Sequence, residues 1–498
     1  MTGDIAAPPT GTVRDWLDQR AAGTATAYLF PQEGTVLSWR ALRAEALRVA
    51  WTLTRKGARK GESIAILQPN GRDGLIALYG ALYGGFRATM INLVAGREAI
   101  AYALEHSEAR FALVHQEAQA LFERARTGGI AQVDLHEEPP GTQLHPLASS
   151  DHALLMYTSG TTGRPKGVVH THASLLAGGW TATVAHELTA DDRGLCVLPI
   201  YHINGLCVSV MGSLVSGGSL AVCPRFSARS FWADAAASKA TWFSVVPTII
   251  SHLLHSAEGP DTETKTRLRF GRSASSALAP DVQRAFERRF DVPIIETMGL
   301  TETAAQILSN PLPPGLRKIG SPGRAYGNEV AVLDAAQVPC DPGIEGEIVV
   351  RGPNVMREYL KNPQATRDTF AGDWLRTGDL GRMDADGYFF VTGRLKELII
   401  KGGENIAPRE IDEALYAHGD VIEAAAFGRP CQRYGETVEA AVKLRAGSAL
   451  SPLDLIQLCK ERLGVFKSPD HVHFLEDLPK GPSGKIQRRK LLALIDRD

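Results

Sequence analysis

The sequence is poor in the features that mark secreted, membrane or nucleic-acid-binding chains. Six cysteines are scattered over 498 residues with no C-x-x-C pair. That argues against a disulfide framework or a thiolate zinc site and suits a reducing compartment. No basic run exceeds a few residues and the formal net charge is −1, so a nucleic-acid surface is not expected. The densest basic cluster, Gln487-Arg-Arg-Lys490, reads as a solvated helix face. The N-terminal MTGDIAAPPTGTVRDW lacks a cationic segment followed by an apolar core, and the final Asp-Arg-Asp is not a peroxisomal address. The expectation is a cytoplasmic protein without integral membrane association. One stretch, Leu195 to Pro224, has no Asp, Glu, Lys or Arg and is long enough to span a bilayer. Pro199, His202, Asn204 and the Ser216-Gly-Gly-Ser219 break interrupt it, so a buried helix and strand of an α/β core are expected there instead.

What is present is ordinary in bulk and specific in detail. The chain is 44% apolar and 22% charged, and its length calls for more than one domain, since single cores stop growing near ~250–300 residues. Short apolar runs at 63–67, 110–115, 218–223, 240–246 and 292–297 read as strands. Helical patterns at 74–83, 228–237 and 280–290 lie between them. This alternation predicts mostly parallel sheets with covered faces. After Pro322 the runs 329–334, 346–351 and 387–392 predict a small antiparallel β unit. Gly393-Arg-Leu-Lys-Glu397 is dense in charge and is a boundary candidate. The last hundred residues predict helices at 408–417, 451–463 and 485–495 and strands at 421–427, 437–444 and 471–475.

The most informative segment is Tyr157-Thr-Ser-Gly-Thr-Thr-Gly-Arg-Pro-Lys-Gly167, between two predicted strands. Glycines allow close backbone approach and positive φ. Consecutive amides, hydroxyls and a lysine point charge suit a polyanion. The segment reads as a nucleotide phosphate loop. It is not a Walker A loop, because Arg164-Pro165 separates Gly163 from Lys166 and Gly167 follows the lysine.

Five further motifs follow in order: Pro199-Ile-Tyr-His-Ile-Asn-Gly205, Met298-Gly-Leu-Thr-Glu302, Leu375-Arg-Thr-Gly-Asp379, Gly393-Arg-Leu-Lys-Glu-Leu-Ile-Ile-Lys-Gly-Gly-Glu-Asn-Ile406 and Pro482-Ser-Gly-Lys-Ile-Gln-Arg488. Together with the phosphate loop they resemble, over nearly the whole chain, the adenylate-forming superfamily of acyl-CoA synthetases, peptide-synthetase adenylation domains and luciferases. The resemblance implies an α/β fold with a large N-terminal domain of βα subdomains plus a small β unit (1–393), a hinge (394–396) and a small mobile α+β C-terminal domain (397–498). It implies an AMP-forming acid–thiol ligase with ATP, Mg²⁺ and coenzyme A as cosubstrates. By resemblance Thr158, Ser159, Gly160, Thr161, Thr162, Gly163 and Lys166 hold the phosphates. Ser275, Met298, Gly299 and Thr301 line the nucleotide, and Asp379 accepts from the ribose with help from Arg394. Glu302 and Thr158 are implied as metal ligands. Lys485 contacts the α-phosphate and carboxylate, and joins Thr158, Glu302 and His202 as the catalytic set. Lys396 falls at the hinge, and Gly402 and Gly403 line the pantetheine channel. Met298 departs from the family's usual aromatic, although a thioether can still cover a flat ring. His202 need not act as a general base, because a carboxylate is already ionised at pH 7.

The acid pocket is expected to contain His202, Asn204, Trp242 and Arg272, with Ser244 nearby. Polar groups and a cation favour a small acid with a second anionic group, and Leu268 to Pro311 is similar to oxalate–CoA ligases. Oxalate, malonate and sulfoacetate types lead, with medium-chain or aromatic acids as the alternative. Arg272 could instead point away and pair with a structural carboxylate. The chain ends just past Lys485, so no carrier protein is expected to be fused, though loading of a separate carrier stays open. A hydrolase is disfavoured, since Gly271-Arg-Ser-Ala-Ser275 lacks the second glycine of G-x-S-x-G. The sequence leaves the oligomeric state open, with a homodimer as the assembly considered.

Overall fold

The computed structural model of the chain describes residues 7–126, 128–158, 165–481 and 484–496. Two large sheets form the N-terminal part. One has seven strands, with Ser63–Leu67 near its middle, flanked by Arg87–Met90 and Phe111–Val114. His152–Thr158 pairs parallel with Arg87–Met90, then turns back antiparallel as Lys166–Thr171. Every residue of Ser63–Leu67 is buried, as expected of a parallel strand covered by helices on both faces. The second sheet has nine strands. Arg193–Cys196, Trp242–Val245, Phe270–Ser273 and Ile294–Leu300 run parallel through its centre, and Ala305–Ser309 turns back antiparallel. The predicted alternation of strands and helices is therefore present, with strand ends within a few residues of the expected ones.

The stretch from Leu195 to Pro224 is buried as anticipated, but its helix is not regular. Asn204–Met211 is a π-helix that continues as the short α-helix Gly212–Ser216 before the strand Ser219–Val222. Among the described residues no helix is long and apolar enough to cross a membrane.

The small antiparallel unit is also present. Glu329–Leu333, Gly346–Arg351 and Trp374–Met383 are neighbours, and Phe389–Arg394 pairs with Trp374–Met383. The C-terminal part has its own sheet and its own core, which includes Ile399, Ile406, Ile411, Leu415, Val438, Val442 and Leu455. One expectation fails here. The last helix spans Arg488–Ile495 and does not begin at Lys485. The Gly481 N–H donates to Lys485 O at 2.7 Å, and the Gln487 N–H donates to Pro479 O at 2.7 Å. Lys480 and Ile486 form an antiparallel bridge. These bonds fold the segment back on itself, so Lys485 sits on a loop before the helix.

Candidate active site

The predicted phosphate loop joins two antiparallel strands, in which Thr158 is the register partner of Lys166. Ser159, Gly160, Thr161, Thr162 and Gly163 lie outside the described residues, as do Pro482 and Ser483 of the lysine motif. At the base of the loop the Thr158 hydroxyl donates to Lys166 O at 3.5 Å. The Lys166 ammonium lies 4.5 Å from the centroid of the Tyr359 ring, and the Tyr359 hydroxyl donates to Glu302 Oε1 at 2.7 Å. Burial pushes the Tyr359 phenol far above its ordinary range, helped by the neighbouring Glu302, so it stays a donor. Lys166, Tyr359 and Glu302 thus form one assembly beside the predicted phosphate loop. Tyr359 is absent from the sequence-derived residues. It belongs to the two-residue strand Glu358–Tyr359, which pairs with Val168 and Val169, and nothing in its local sequence marks it.

Glu302 lies on the 3₁₀ turn Thr301–Thr303. Buried His170 holds that turn from behind, with Nε2 at 2.7 Å from Thr301 O and Nδ1 at 3.0 Å from Ser174 Oγ. Burial lowers the His170 pKa to about 4, so the ring is neutral. Met298, Gly299 and Thr301 follow each other along the strand end and turn, with Gly299 the register partner of Gln306. Ser275 adopts φ 74°, a conformation uncommon for a residue with a side chain and concentrated at functional sites. Its hydroxyl accepts from Asn204 Nδ2 at 3.3 Å.

Asp379 and Arg394 are register partners on adjacent strands, with Arg394 Nε 3.4 Å from Asp379 Oδ1. Burial raises the Asp379 pKa, opposed by the charge of Arg394. Lys485 is delivered to this cluster by the C-terminal part, with its ammonium 3.8 Å from Glu397, which also lies 3.6 Å from Arg488. The docking that places it is specific. The Thr248 hydroxyl donates to Gly484 O at 3.2 Å, and the Ser251 hydroxyl to Ile422 O at 2.6 Å. Fully buried Glu423 takes both His252 at 2.9 Å and Lys480 at 2.8 Å. Glu397 and Arg488 are neighbours of Lys485 that sequence reasoning did not single out, although both lie within its motifs. Lys396 is exposed. Gly402 and Gly403 form the exposed tip of the hairpin Ile399–Lys401/Glu404–Ile406, with φ 60° and 86°, the two positive values that a tight hairpin turn requires.

The residues expected to line the acid pocket meet where Trp242–Val245 and Phe270–Ser273 lie side by side. Ser244 and Arg272 are register partners, so their side chains share a face. Arg272 is 1% exposed. Its Nε donates to Gln306 Oε1 at 3.1 Å, and one terminal nitrogen donates to Asn204 Oδ1 at 2.7 Å and Ser244 Oγ at 3.2 Å. All these acceptors are neutral, and no carboxylate pairs with Arg272 among the described residues. The alternative of a structural ion pair is therefore not the arrangement found. Burial lowers the guanidinium pKa to about 9, which leaves it charged at pH 7. Trp242 lies deeper on the same strand. It is 2% exposed and stacked on Phe270 at 5.8 Å, a packing role within the sheet core. His202 precedes the π-helix, with Nδ1 3.4 Å from the Asn204 N–H. Its pKa falls to about 4 through burial, so it presents an uncharged ring. Asn204 opens that π-helix, and such irregular turns occur frequently at functional sites.

Among the described residues no group of three His, Cys, Asp or Glu side chains could chelate a metal on its own. Mg²⁺ usually binds through one or two carboxylates together with substrate phosphates. Glu302 beside the phosphate loop fits such a shared site.

Residues 15–360 match the AMP-binding enzyme family, and residues 410–485 match the AMP-binding enzyme C-terminal domain. The chain belongs to the AMP-binding enzyme family. It is 44% identical over 479 residues to the sulfoacetate–CoA ligase of Cupriavidus necator, covering 93% of this chain and 94% of that protein. It is 36% identical to an oxalate–CoA ligase of Arabidopsis thaliana, covering 87% and 88% of the two chains. The crystal structure of ATP-bound MatB from Rhodopseudomonas palustris superposes with a TM-score of 0.89 at 28% identity, covering 98% of this chain and 99% of that one.

Proposed function

We propose that this ATP-dependent acid–CoA ligase of small acids takes a short carboxylic acid bearing a second anionic group, a dicarboxylate or a sulfonated acid of the sulfoacetate type, and binds that group at Arg272. The observation that carries this reading is a buried, charged guanidinium whose partners among the described residues are all neutral. Burying an ion without a counter-ion is costly, and a dianionic acid would supply the missing charge. The likeness to a sulfoacetate–CoA ligase and an oxalate–CoA ligase supports the same substrate class.

The chemistry divides into two displacements. A carboxylate oxygen of the acid attacks the α-phosphorus of ATP, the bond to the bridging oxygen breaks, and pyrophosphate leaves. The CoA sulfur then attacks the acyl carbon, loses its proton, and AMP leaves. In-line transfer at phosphorus is catalysed mainly by positioning and charge neutralisation. On this reading Lys485 stabilises charge on the α-phosphate, and Asp379 with Arg394 fixes the ribose. Met298, Gly299, Thr301 and Ser275 border the base, while Thr158, Ser159 to Gly163 and Lys166 hold the phosphates. Glu302 with Thr158 would hold Mg²⁺, which when bound neutralises phosphate charge. His202 closes the acyl pocket as a neutral group. The division into 1–393, a hinge at 394–396 and 397–498 belongs to the same reading, with Gly402 and Gly403 meeting pantetheine after the C-terminal part turns. All six cysteines are free thiols, which supports a reducing, cytoplasmic setting.

Arg272→Met is expected to raise KM for the dianionic acid about ten- to a hundredfold, the contribution of a charge-assisted hydrogen bond. KM for ATP should stay unchanged. Steady-state pyrophosphate release with sulfoacetate and oxalate tests this. A wild-type preference for medium-chain fatty acids or benzoates, or a mutant altered only in ATP affinity, would sink the reading. Lys396→Pro should leave acyl-adenylate formation near wild type and slow thioester formation, because proline fixes φ at the hinge. Measuring the two half-reactions separately checks this, and equal loss in both would argue against a turning C-terminal part.

A further inference from the structure

The guanidinium of Arg272 is held by a second layer of neutral groups, and the pivotal one is Gln306. This residue lies on Ala305–Ser309 and is 1% exposed. Its Oε1 accepts from Arg272 Nε at 3.1 Å and lies 3.0 Å from His186 Nε2. Its Nε2 donates to Thr181 O at 3.3 Å. The opposite amide orientation would set an N–H₂ against the Arg272 N–H and an oxygen against the Thr181 carbonyl, so the orientation is forced. The main chain of Gln306 is anchored as well, since its carbonyl accepts from Asn354 Nδ2 at 3.2 Å. His186 is fully buried, stacks on Phe270 at 5.1 Å, and its Nδ1 has no partner among the described residues. Burial and the charge of Arg272 hold its pKa at about 3. The ring is therefore neutral and must carry its proton on Nε2, donating to the same glutamine oxygen.

Two consequences follow from the chemistry of this acceptor. An amide oxygen can orient the guanidinium while leaving its charge uncompensated. A carboxylate of the same length would orient it too, but would neutralise the charge that the substrate is meant to meet. We propose that Gln306 is a specificity-determining positioning residue. It aims Arg272 into the acid pocket and, by being an amide rather than a carboxylate, reserves the positive charge for the second anionic group of the substrate. The inference rests on the reading of Arg272 given above, and it adds a residue that does not touch substrate.

The test compares wild type, Gln306→Glu, Gln306→Met and Arg272→Met, each assayed for kcat/KM with sulfoacetate and with butyrate, and for KM with ATP. Gln306→Glu should lose about ten- to a hundredfold on sulfoacetate with Arg272 still in place. It should hold or improve its use of butyrate and keep the wild-type KM for ATP. Gln306→Met, which keeps volume but not charge or acceptor, should lose less on sulfoacetate than Gln306→Glu. If Gln306→Glu uses sulfoacetate as well as wild type while Arg272→Met does not, the role of Gln306 is wrong and the reading of Arg272 stands. If Arg272→Met itself retains sulfoacetate, the substrate reading is what fails. If both Gln306 variants lose equally on both acids, the residue is only structural and the proposal is overturned.

Discussion

Lys485→Ala is expected to slow pyrophosphate release about 10²–10³-fold, the effect of removing one preorganised donor from a developing anion. Thioester formation from a supplied acyl-adenylate should be largely spared. The expectation rests on the role proposed for Lys485, whose ammonium lies 3.8 Å from Glu397 and which follows Gly484, whose carbonyl is tied to Thr248. Burial lowers the Lys485 pKa, with Glu397 pulling it back. The sign for activity is therefore definite: the charged form is lost as pH rises, and lost earlier than for an ordinary lysine. The alkaline limb of kcat/KM for adenylation, which reports the free enzyme, should fall below the usual lysine range, and Lys485→Arg should remove that limb. Pyrophosphate release and thioester formation measured separately would decide the matter. Equal loss in both half-reactions would falsify the assignment.

The second large effect concerns stability at the same site. A Cβ added at Gly299 would lie 1.5 Å from Ala305 O and 2.9 Å from the Gln306 Cα. Both contacts are to the backbone of the paired strand, so no side chain can rotate away. Gly299→Ala should force the Ile294–Leu300 and Ala305–Ser309 strands apart and cost at least about 3 kcal/mol, the upper range of overpacking. A fall in thermal midpoint of about 5 °C or more is expected. Because Gly299 is read as bordering the base and Gln306 is its register partner, nucleotide binding and sulfoacetate turnover should both decline. A variant with wild-type melting would show that the strands can part cheaply there.

How much of this was legible beforehand depends on the range of the interactions. The central strands could be read because parallel strands buried on both faces appear as continuous apolar runs, as in Ser63–Leu67. Asp379 and Arg394 could be placed from motifs, and the fold then makes them register partners. Arg272 was visible as a cation beside a nucleotide motif, but its neutral surroundings were not. Gln306, His186 and Tyr359 meet their partners across 34, 120 and 57 residues of chain, and no local pattern announces such meetings. The last helix starts later than the helical composition of Lys485-Ile-Gln-Arg488 suggests, because bonds to Pro479 and Gly481 hold the first residues of that segment in a loop. The π-helix was illegible for a related reason, since it shares its apolar composition with an ordinary buried helix.

The neutral lining of Arg272 also ties the folding equilibrium to the surrounding solution. Folding encloses a positive charge that has no carboxylate partner among the described residues, so on the proposed reading an anion taken up at Arg272 would bind the folded chain and not the unfolded one. At a hundred times its Kd such an anion would add ~2.7 kcal/mol to the folded state. The substrate would thus act as a chemical chaperone for its own enzyme, and the protein would resist heat best when there is acid for it to consume.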